Sequence, residues 1–233
     1  MHTRFIVFGQ SRSGSTLVQE LLNSHPQICC EGELLNPEWG YLGRGPVREF
    51  SRLFPAPYLN HRARARGLPN YGCKLMPYHL RFPVSAVRRL VTHGWKIIHV
   101  HRRDVPRQSL SKLVAEATGR WHSRSDQLSP LTGSVTIPVE ALLREIQKRR
   151  QIGEMEKQVM AQIPHFPVCF ETDLQGASDR DVTFGHLFTY LKVEPAAVYT
   201  TLVKTHDLPD EQFIANYDEI QPYLNGQNQS NMG

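Results

Sequence analysis

Apolar residues in this chain fall into short blocks separated by longer amphipathic stretches. Phe5–Phe8, Lys96–Val100 ("KIIHV") and Pro167–Phe170 ("PVCF") are runs of four or five residues bounded by turn or helix signals. That pattern predicts buried parallel strands. "GCKLM" at 72–76 is a weaker run, and "QICCEGE" at 27–33 reads as a strand after the first helix. Helical spacing predicts helices over Thr16–Asn23, Val84–His93, Val105–Thr118, Val139–Gln162, Asp181–Leu191 and Asp210–Tyr217. Val84, Val87, Leu90 and Val91 share one face of the second, and Leu142, Leu143, Ile146, Ile152, Met155 and Val159 recur at helical intervals in the fourth. Strands alternating with helices predict an α/β fold of three layers, a central parallel sheet flanked by helices on both faces. The stretches 36–46 and 122–138 are rich in turn residues and too long for simple connectors, which suits lids or substrate-binding elements.

Length and composition narrow this picture without changing it. The 233 residues suit one substantial domain, here 1–224, with "NGQNQSNMG" at 225–233 having the composition of a disordered tail. The chain is 40% hydrophobic and 21% charged, ordinary for a globular protein. No run approaches the roughly 18 to 20 apolar residues that span a bilayer, so no stable membrane insertion is expected. The first strand begins within four residues, leaving no room for a signal peptide. Cys29, Cys30, Cys73 and Cys169 have neither metal-ligand nor disulfide-scaffold spacing. Free thiols in a reducing cytoplasm follow.

Charge changes the picture more. The formal net charge is +5 and the pI about 9.1, which suits an anionic ligand. The basic blocks lie at 62–66 ("RARAR"), 88–89, 101–104 ("HRRD") and 148–150, none interleaved with the aromatics of a base-stacking platform. A small polyanion therefore fits at least as well as a nucleic acid, and no nucleic-acid partner is assigned. The blocks at 88–89 and 148–150 read as solvated helix faces. The eleven histidines show no metal-ligand spacing, so no metal is expected.

The densest chemistry lies in "FIVFGQSRSGSTLVQELL", residues 5–22. A strand ending in glycines and turning straight into a helix aims several backbone N–H groups, and the positive end of the helix dipole, at one spot. Gly9, Gly14 and Ser15-Thr16 fall on the spacing of a nucleotide-binding P-loop, but Ser15 stands where that loop has lysine. Ser11, Ser13, Ser15 and Thr16 supply hydroxyls and Arg12 a cation, more than an N-cap needs. A metal-dependent ATPase or kinase also needs an aspartate ending a second strand. Here that strand ends "IIHVHRRD", in arginines, and Asp104 follows them. Two cationic strand ends call for a ligand with two separate phosphate groups.

"FGQSRSGSTLVQELLNSHP" resembles the 5′-phosphosulfate loop of sulfotransferases that use 3′-phosphoadenylyl sulfate (PAPS), and "IIHVHRRDVPRQSLS" resembles their 3′-phosphate motif. "GE" at 32–33, "CKLM" at 73–76, "CFETDL" at 169–174 and "KTHDLPDEQFIANYDEI" at 204–220 are similar to the bacterial glycolipid and carbohydrate group of that family. The resemblance implies a P-loop-NTPase-like fold, PAPS as co-substrate and adenosine 3′,5′-bisphosphate (PAP) as product, without a metal. It also implies a small-molecule, carbohydrate or lipid alcohol as acceptor. The family pattern [KR]-[ST]-G-[ST]-[ST] corresponds to Arg12, Ser13, Gly14, Ser15 and Thr16, which would hold the phosphosulfate, Arg12 neutralising the bridging oxygen.

For the base, the cytosolic aryl and steroid sulfotransferases use the histidine of a strand-end "KTH". Lys74 matches that lysine, but Met76 occupies the histidine position and cannot take a proton. The "KTH" at 204–206 lies beyond both motifs and is read as coincidence. In the group with "HP-x5-GE", the glutamate is the base, and Glu33 stands there. Glu31 competes, since strand alternation puts both on one side. A base should have a raised pKa through desolvation, whereas pairing with Lys74 would hold it ionised. The spacing favours Arg102, with Ser111, over Arg103 for the 3′-phosphate, and Arg107 and Ser109 read as solvent-facing. Lys204 is a further candidate for that phosphate, His99 and His101 for shaping the cofactor site, and Trp39, Tyr41 and Trp121 for the acceptor. Two other readings remain: a P-loop kinase or nucleotide hydrolase with a displaced loop cation, and a non-catalytic nucleotide-binding protein.

Overall fold

A computed structural model of the chain describes residues 3–38, 45–124, 133–203 and 209–225. Trp39, Tyr41, Lys204, the "KTH" at 204–206 and the tail from 226 onward lie outside the described residues. The chain divides into two compact units, 1–103 with 152–200, and 104–151 with 201–233.

In the first unit, β1 (Thr3–Phe8), β2 (Ile28–Glu31), β3 (Asn70–Leu75), β4 (Trp95–His101) and β6 (Phe166–Cys169) form one sheet in the order β2-β3-β1-β4-β6, every pair parallel. One face carries Ile6, Phe8, Tyr71, Cys73, Leu75 and Ile97 against α3 (Pro55–Arg66), α4 (Pro83–Thr92) and the end of α6 (Val139–Met160). The other carries Phe5, Val7, Ile98, Val100 and Val168 against α1 (Ser15–Asn23) and α7 (Ala177–Leu191). These are the three layers expected, since a parallel strand buried on both faces reads as a continuous apolar run. A π-helical turn, Phe170–Leu174, closes β6. All four cysteines are free.

The register sets the heights at the carboxyl edge of the sheet. Val7 pairs with Lys74 and Phe8 with Leu75, so Lys74 stands beside the end of β1, where the glycine loop begins. Glu31 pairs with Cys73 as the last residue of β2, which leaves Glu33 beyond the strand.

The helices α2 (Pro46–Leu53) and α3 are absent from the reading of the apolar pattern. Each starts with proline in its first turn, where the missing N–H costs nothing. The predicted helix 210–217 is instead α8 (Asp210–Phe213) and α9 (Tyr217–Leu224).

The second unit packs α5 (Val105–Thr118), the first part of α6, α8 and α9 around Leu110, Val114, Leu142, Ile146, Phe213 and Ile220. Strands β5 (Ser123–Arg124) and β7 (Leu202–Val203) pair antiparallel. Two sequence readings fail here. Ser109 is fully buried and donates to the Val105 carbonyl (2.8 Å), a bond internal to α5 that removes it from solvent. Arg149 of the basic run 148–150 is buried against Glu145 (3.0 Å), while Lys148 and Arg150 are exposed as a solvated face requires.

Candidate functional site

The loop between β1 and α1 follows the chemistry of its sequence. A Cβ at Gly9 would lie 2.1 Å from the Val100 carbonyl oxygen, so only glycine lets the loop leave the sheet there. Gly14 caps α1 at φ 96°, and a Cβ on it would meet Phe170 at 2.8 Å and Leu174 at 2.9 Å. Arg12 also lies in the left-handed region, at φ 61°. For a non-glycine residue this costs roughly 1–2 kcal/mol, a strain that persists where surrounding structure imposes it. The N-cap Gly14 offers no side chain to the first turn of α1, and N–H groups at a helix start suit an anion. Ser13 is 1% exposed, and its hydroxyl has no hydrogen-bond partner among the described residues. A buried orphan hydroxyl costs about 1–3 kcal/mol, which a ligand oxygen would relieve.

Lys74 joins this loop to Glu33. Its Nζ donates to Thr16 Oγ1 (2.7 Å) and stands 3.3 Å from Glu33 Oε1, while the side chain is only 5% exposed. Burial pulls the Lys74 pKa down, Glu33 opposes that, and the Arg12 charge adds to the depression. Arg12, Thr16, Lys74 and Glu33 are thus one electrostatic group.

The second oxygen of Glu33 has its own partners. Asn36 Nδ2 donates to Oε2 at 2.8 Å, its orientation set because Oδ1 accepts the Glu38 N–H at 2.9 Å. His79 Nε2 stands 3.5 Å from the same Oε2. Burial alone would raise the Glu33 pKa. The His79 ring 3.5 Å away, the Lys74 charge and the Asn36 hydrogen bond outweigh burial and hold it down at about 2. Of the two possibilities open from sequence, the glutamate is held ionised by pairing.

Glu31 has a different fate. Cys29 packs on the same face as α3, and Glu31, two residues on, follows it. There it accepts from Arg62 (2.6 Å), Arg66 Nε (2.9 Å) and the Tyr71 hydroxyl. The strand ends at Glu31, and turn bonds from Leu34 N to Gly32 O and from Asn36 N to Glu33 O take Glu33 out of the alternation.

At the end of β4 the two arginines diverge. Arg102 lies with its guanidinium 4.6 Å over the Phe170 ring, the ring that packs against Gly14, and Nε 3.5 Å from Glu171. Arg103 is exposed and donates to Cys169 Sγ at 3.1 Å. Ser111 belongs to the second unit, half-buried on α5, and Trp121 is half-buried in that unit too. Arg107 pairs with Asp210 at 3.2 Å. His99 and His101 stack at 5.2 Å and His165 meets His99 edge-on at 5.9 Å. Burial first, then His101 and His165, depress the His99 pKa to about 3, so His99 is a neutral ring.

Asn36 and His79 were missed in the sequence. The available signal was "KLMPYH": the histidine absent from the "KTH" place occurs three residues later, carried back by the one-turn helix Pro77–His79.

Residues 4–52, which hold β1, the loop, α1, β2 and both glutamates, match the model of the Sulfotransferase family. Nodulation protein H of Rhizobium tropici is 28% identical over 138 residues, covering 57% of this chain. The match takes in 55% of that relative, so the chain spans about half its length. The fold matches a sulfotransferase from Alicyclobacillus acidocaldarius with a TM-score of 0.50 and 17% identity, over 97% of this chain and 92% of that one. The sulfotransferase domain of the Synechococcus PCC 7002 olefin synthase aligns over 97% of this chain and 87% of its own, at TM-score 0.49 and 16% identity. The α/β fold with its glycine loop is of the P-loop-like class that sulfotransferases adopt. The match to the family is thus carried by residues 4–52, and the likeness of the whole chain to solved sulfotransferases is one of fold. Among the described residues no helix is long and apolar enough to cross a membrane.

Proposed function

We propose that the chain transfers a sulfuryl group from PAPS to a hydroxyl of a small-molecule, carbohydrate or lipid acceptor. The observation that carries this reading is the joining of an uncapped glycine loop to an ionised Glu33 through a single buried cation, Lys74. The N–H groups at the start of α1, with Ser13, Ser15 and Thr16, suit the 5′-phosphosulfate. Arg12 and Lys74 neutralise charge appearing on the oxygen between phosphorus and sulfur as that bond breaks, the kind of stabilisation that dominates group transfer. Arg102, at the end of β4, binds the 3′-phosphate.

Glu33 takes the acceptor proton. At a pKa of about 2 it is a weak base, held there in part by the Lys74 charge. A phosphosulfate beside Lys74 adds negative charge near the carboxylate and draws on the same cation, and both effects raise the proton affinity of Glu33. The base is thereby strengthened when donor is bound.

Thermal unfolding with adenosine 3′,5′-bisphosphate in the absence of Mg²⁺, alongside Mg-ATP, tests the reading together with ³⁵S transfer from labelled PAPS to a panel of alcohols. Stabilisation by the bisphosphate alone and a labelled product are expected. Stabilisation by Mg-ATP alone would replace the reading with a kinase or hydrolase, and binding without product across the panel would favour a non-catalytic nucleotide sensor.

A further inference from the structure

His79 is fully buried beside Glu33, and its surroundings determine which ring nitrogen carries hydrogen. The Met76 N–H donates to Nδ1 at 3.2 Å, occupying that lone pair. The proton of the neutral ring is therefore on Nε2. Nε2 is buried with no partner inside ordinary hydrogen-bond length among the described residues, and the nearest acceptor is Glu33 Oε2 at 3.5 Å. An N–H left unpaired in the interior costs about 1–3 kcal/mol, so the ring has a standing reason to draw that oxygen in.

His25 shows the same arrangement completed. Its Nδ1 accepts the Gln27 N–H at 3.1 Å and its Nε2 lies 2.9 Å from the Glu194 carbonyl. There the ring ties two backbone segments. At His79 the equivalent donor faces a carboxylate instead of a carbonyl.

The His79 ring is well supported. Arg52 of α2 donates to the carbonyls of His79 (2.9 Å) and Tyr78 (3.3 Å), and the His79 N–H closes the turn on Met76 O (3.0 Å). Tyr78 packs edge-on against the imidazole, with ring centroids 5.0 Å apart.

We propose that His79 is a positioning residue for proton transfer, donating from Nε2 to Glu33 Oε2 so that Oε1 alone faces the acceptor. This rests on the function proposed above. Oε1 is shared with Lys74, the cation that a bound phosphosulfate draws upon, and when that hold weakens only the partners of Oε2 keep the carboxylate plane in place. The balance is simple. The acceptor oxygen bonds to sulfur, the bond from sulfur to the bridging oxygen breaks, the bisphosphate leaves with that electron pair, and the acceptor proton goes to Oε1. His79 keeps its own proton throughout, because Nδ1 is already engaged. Catalytic hydrogen bonds commonly tighten as the transition state is reached.

The test is an NMR titration of protein labelled with ¹³C at the glutamate carboxyls, Glu33 being assigned by its loss in Glu33→Gln. The groups facing Glu33 are Lys74, His79 and Asn36, with Arg12 acting through Lys74. In His79→Leu the Glu33 midpoint should rise by about one pH unit or more. In His79→Gln, which keeps an amide donor near the Nε2 position, it should stay within about half a unit of wild type. Bisphosphate affinity should be unchanged in both. Where wild type makes a sulfated product, kcat should fall about 10- to 100-fold in His79→Leu, with the donor KM unmoved and substantial rescue in His79→Gln. An unchanged Glu33 midpoint in His79→Leu overturns the proposal. Independently of any His79 variant, ¹⁵N spectra of wild type should show hydrogen on Nε2 and none on Nδ1, with the Nε2 signal moving in Glu33→Gln. The opposite tautomer, or no movement, also overturns it. A wild type without sulfotransferase activity would refute the proposed function while leaving both NMR readings to decide the pair.

Discussion

Glu31 and Glu33 are two residues apart and both ionised, yet they do different work. Glu31 is saturated, with two arginines and a tyrosine hydroxyl closing around it from α3 and β3. Glu33 meets the Asn36 amide and the His79 ring at one oxygen and Lys74, itself bound to the glycine loop, at the other. A carboxylate enclosed by two arginines and a tyrosine hydroxyl is a brace. One whose cation also holds the glycine loop can have its basicity changed by whatever that loop binds.

The sharpest way to break this contrast is exchange of each carboxylate. Glu33→Gln should lower kcat by about 10³-fold or more with bisphosphate affinity nearly intact, and Glu31→Gln should stay within about tenfold of wild type. Equal loss in both, or an active Glu33→Gln, would show that the wrong carboxylate was chosen. Lys74→Met should cost about 100-fold in turnover and raise the Glu33 midpoint, because it removes charge from both loop and carboxylate. A Glu33 titration that does not move would separate the two. Arg102→Ala should weaken adenosine 3′,5′-bisphosphate about 10-fold or more and leave the 3′-dephosphorylated nucleotide almost unaffected, as calorimetry would read. Equal weakening of both nucleotides would remove Arg102 from the 3′-phosphate.

Stability should show the contrast in reverse. Glu31→Gln should destabilise by about 1–3 kcal/mol in chemical unfolding, since Arg62 and Arg66 lose their common anion while remaining partly solvated. Acid reads the Glu33 pairing directly. Glu33 is depressed from its ordinary 4.5 to about 2, so it contributes stability fully present above about pH 4.5 and lost as pH falls toward 2. Glu33→Gln should therefore flatten the stability curve between those values, and an unaltered slope would mean the pairing is weak in solution.

Much of the frame was legible from local pattern. The β1 and β4 runs and the glycine turn announced themselves because a buried parallel strand is apolar throughout and an anion loop needs glycine where chain or ring crowds it. Helices α2 and α3 did not, because prolines in their first turns read as loop signals. Ser109 and Arg149 were misread as solvent-facing because periodicity assigns a face but not the partner that covers it. Arg102 was preferred over Arg103 on spacing; the structure adds that Arg102 lies over the ring packed against Gly14 while Arg103 turns to Cys169.

By itself the sequence determined the strand, turn and helix of the glycine loop, the arginine it carries at position 12, and the arginines closing β4. These depend on residues adjacent in the chain, where backbone geometry dictates what each neighbour can do. Only tertiary structure decided which glutamate braces α3 and which meets Lys74, and that a histidine three residues past its expected place completes the carboxylate's surroundings. Those outcomes depend on strand register, on where β2 stops and on a one-turn helix after β3, and such long-range contacts leave no periodic trace in sequence.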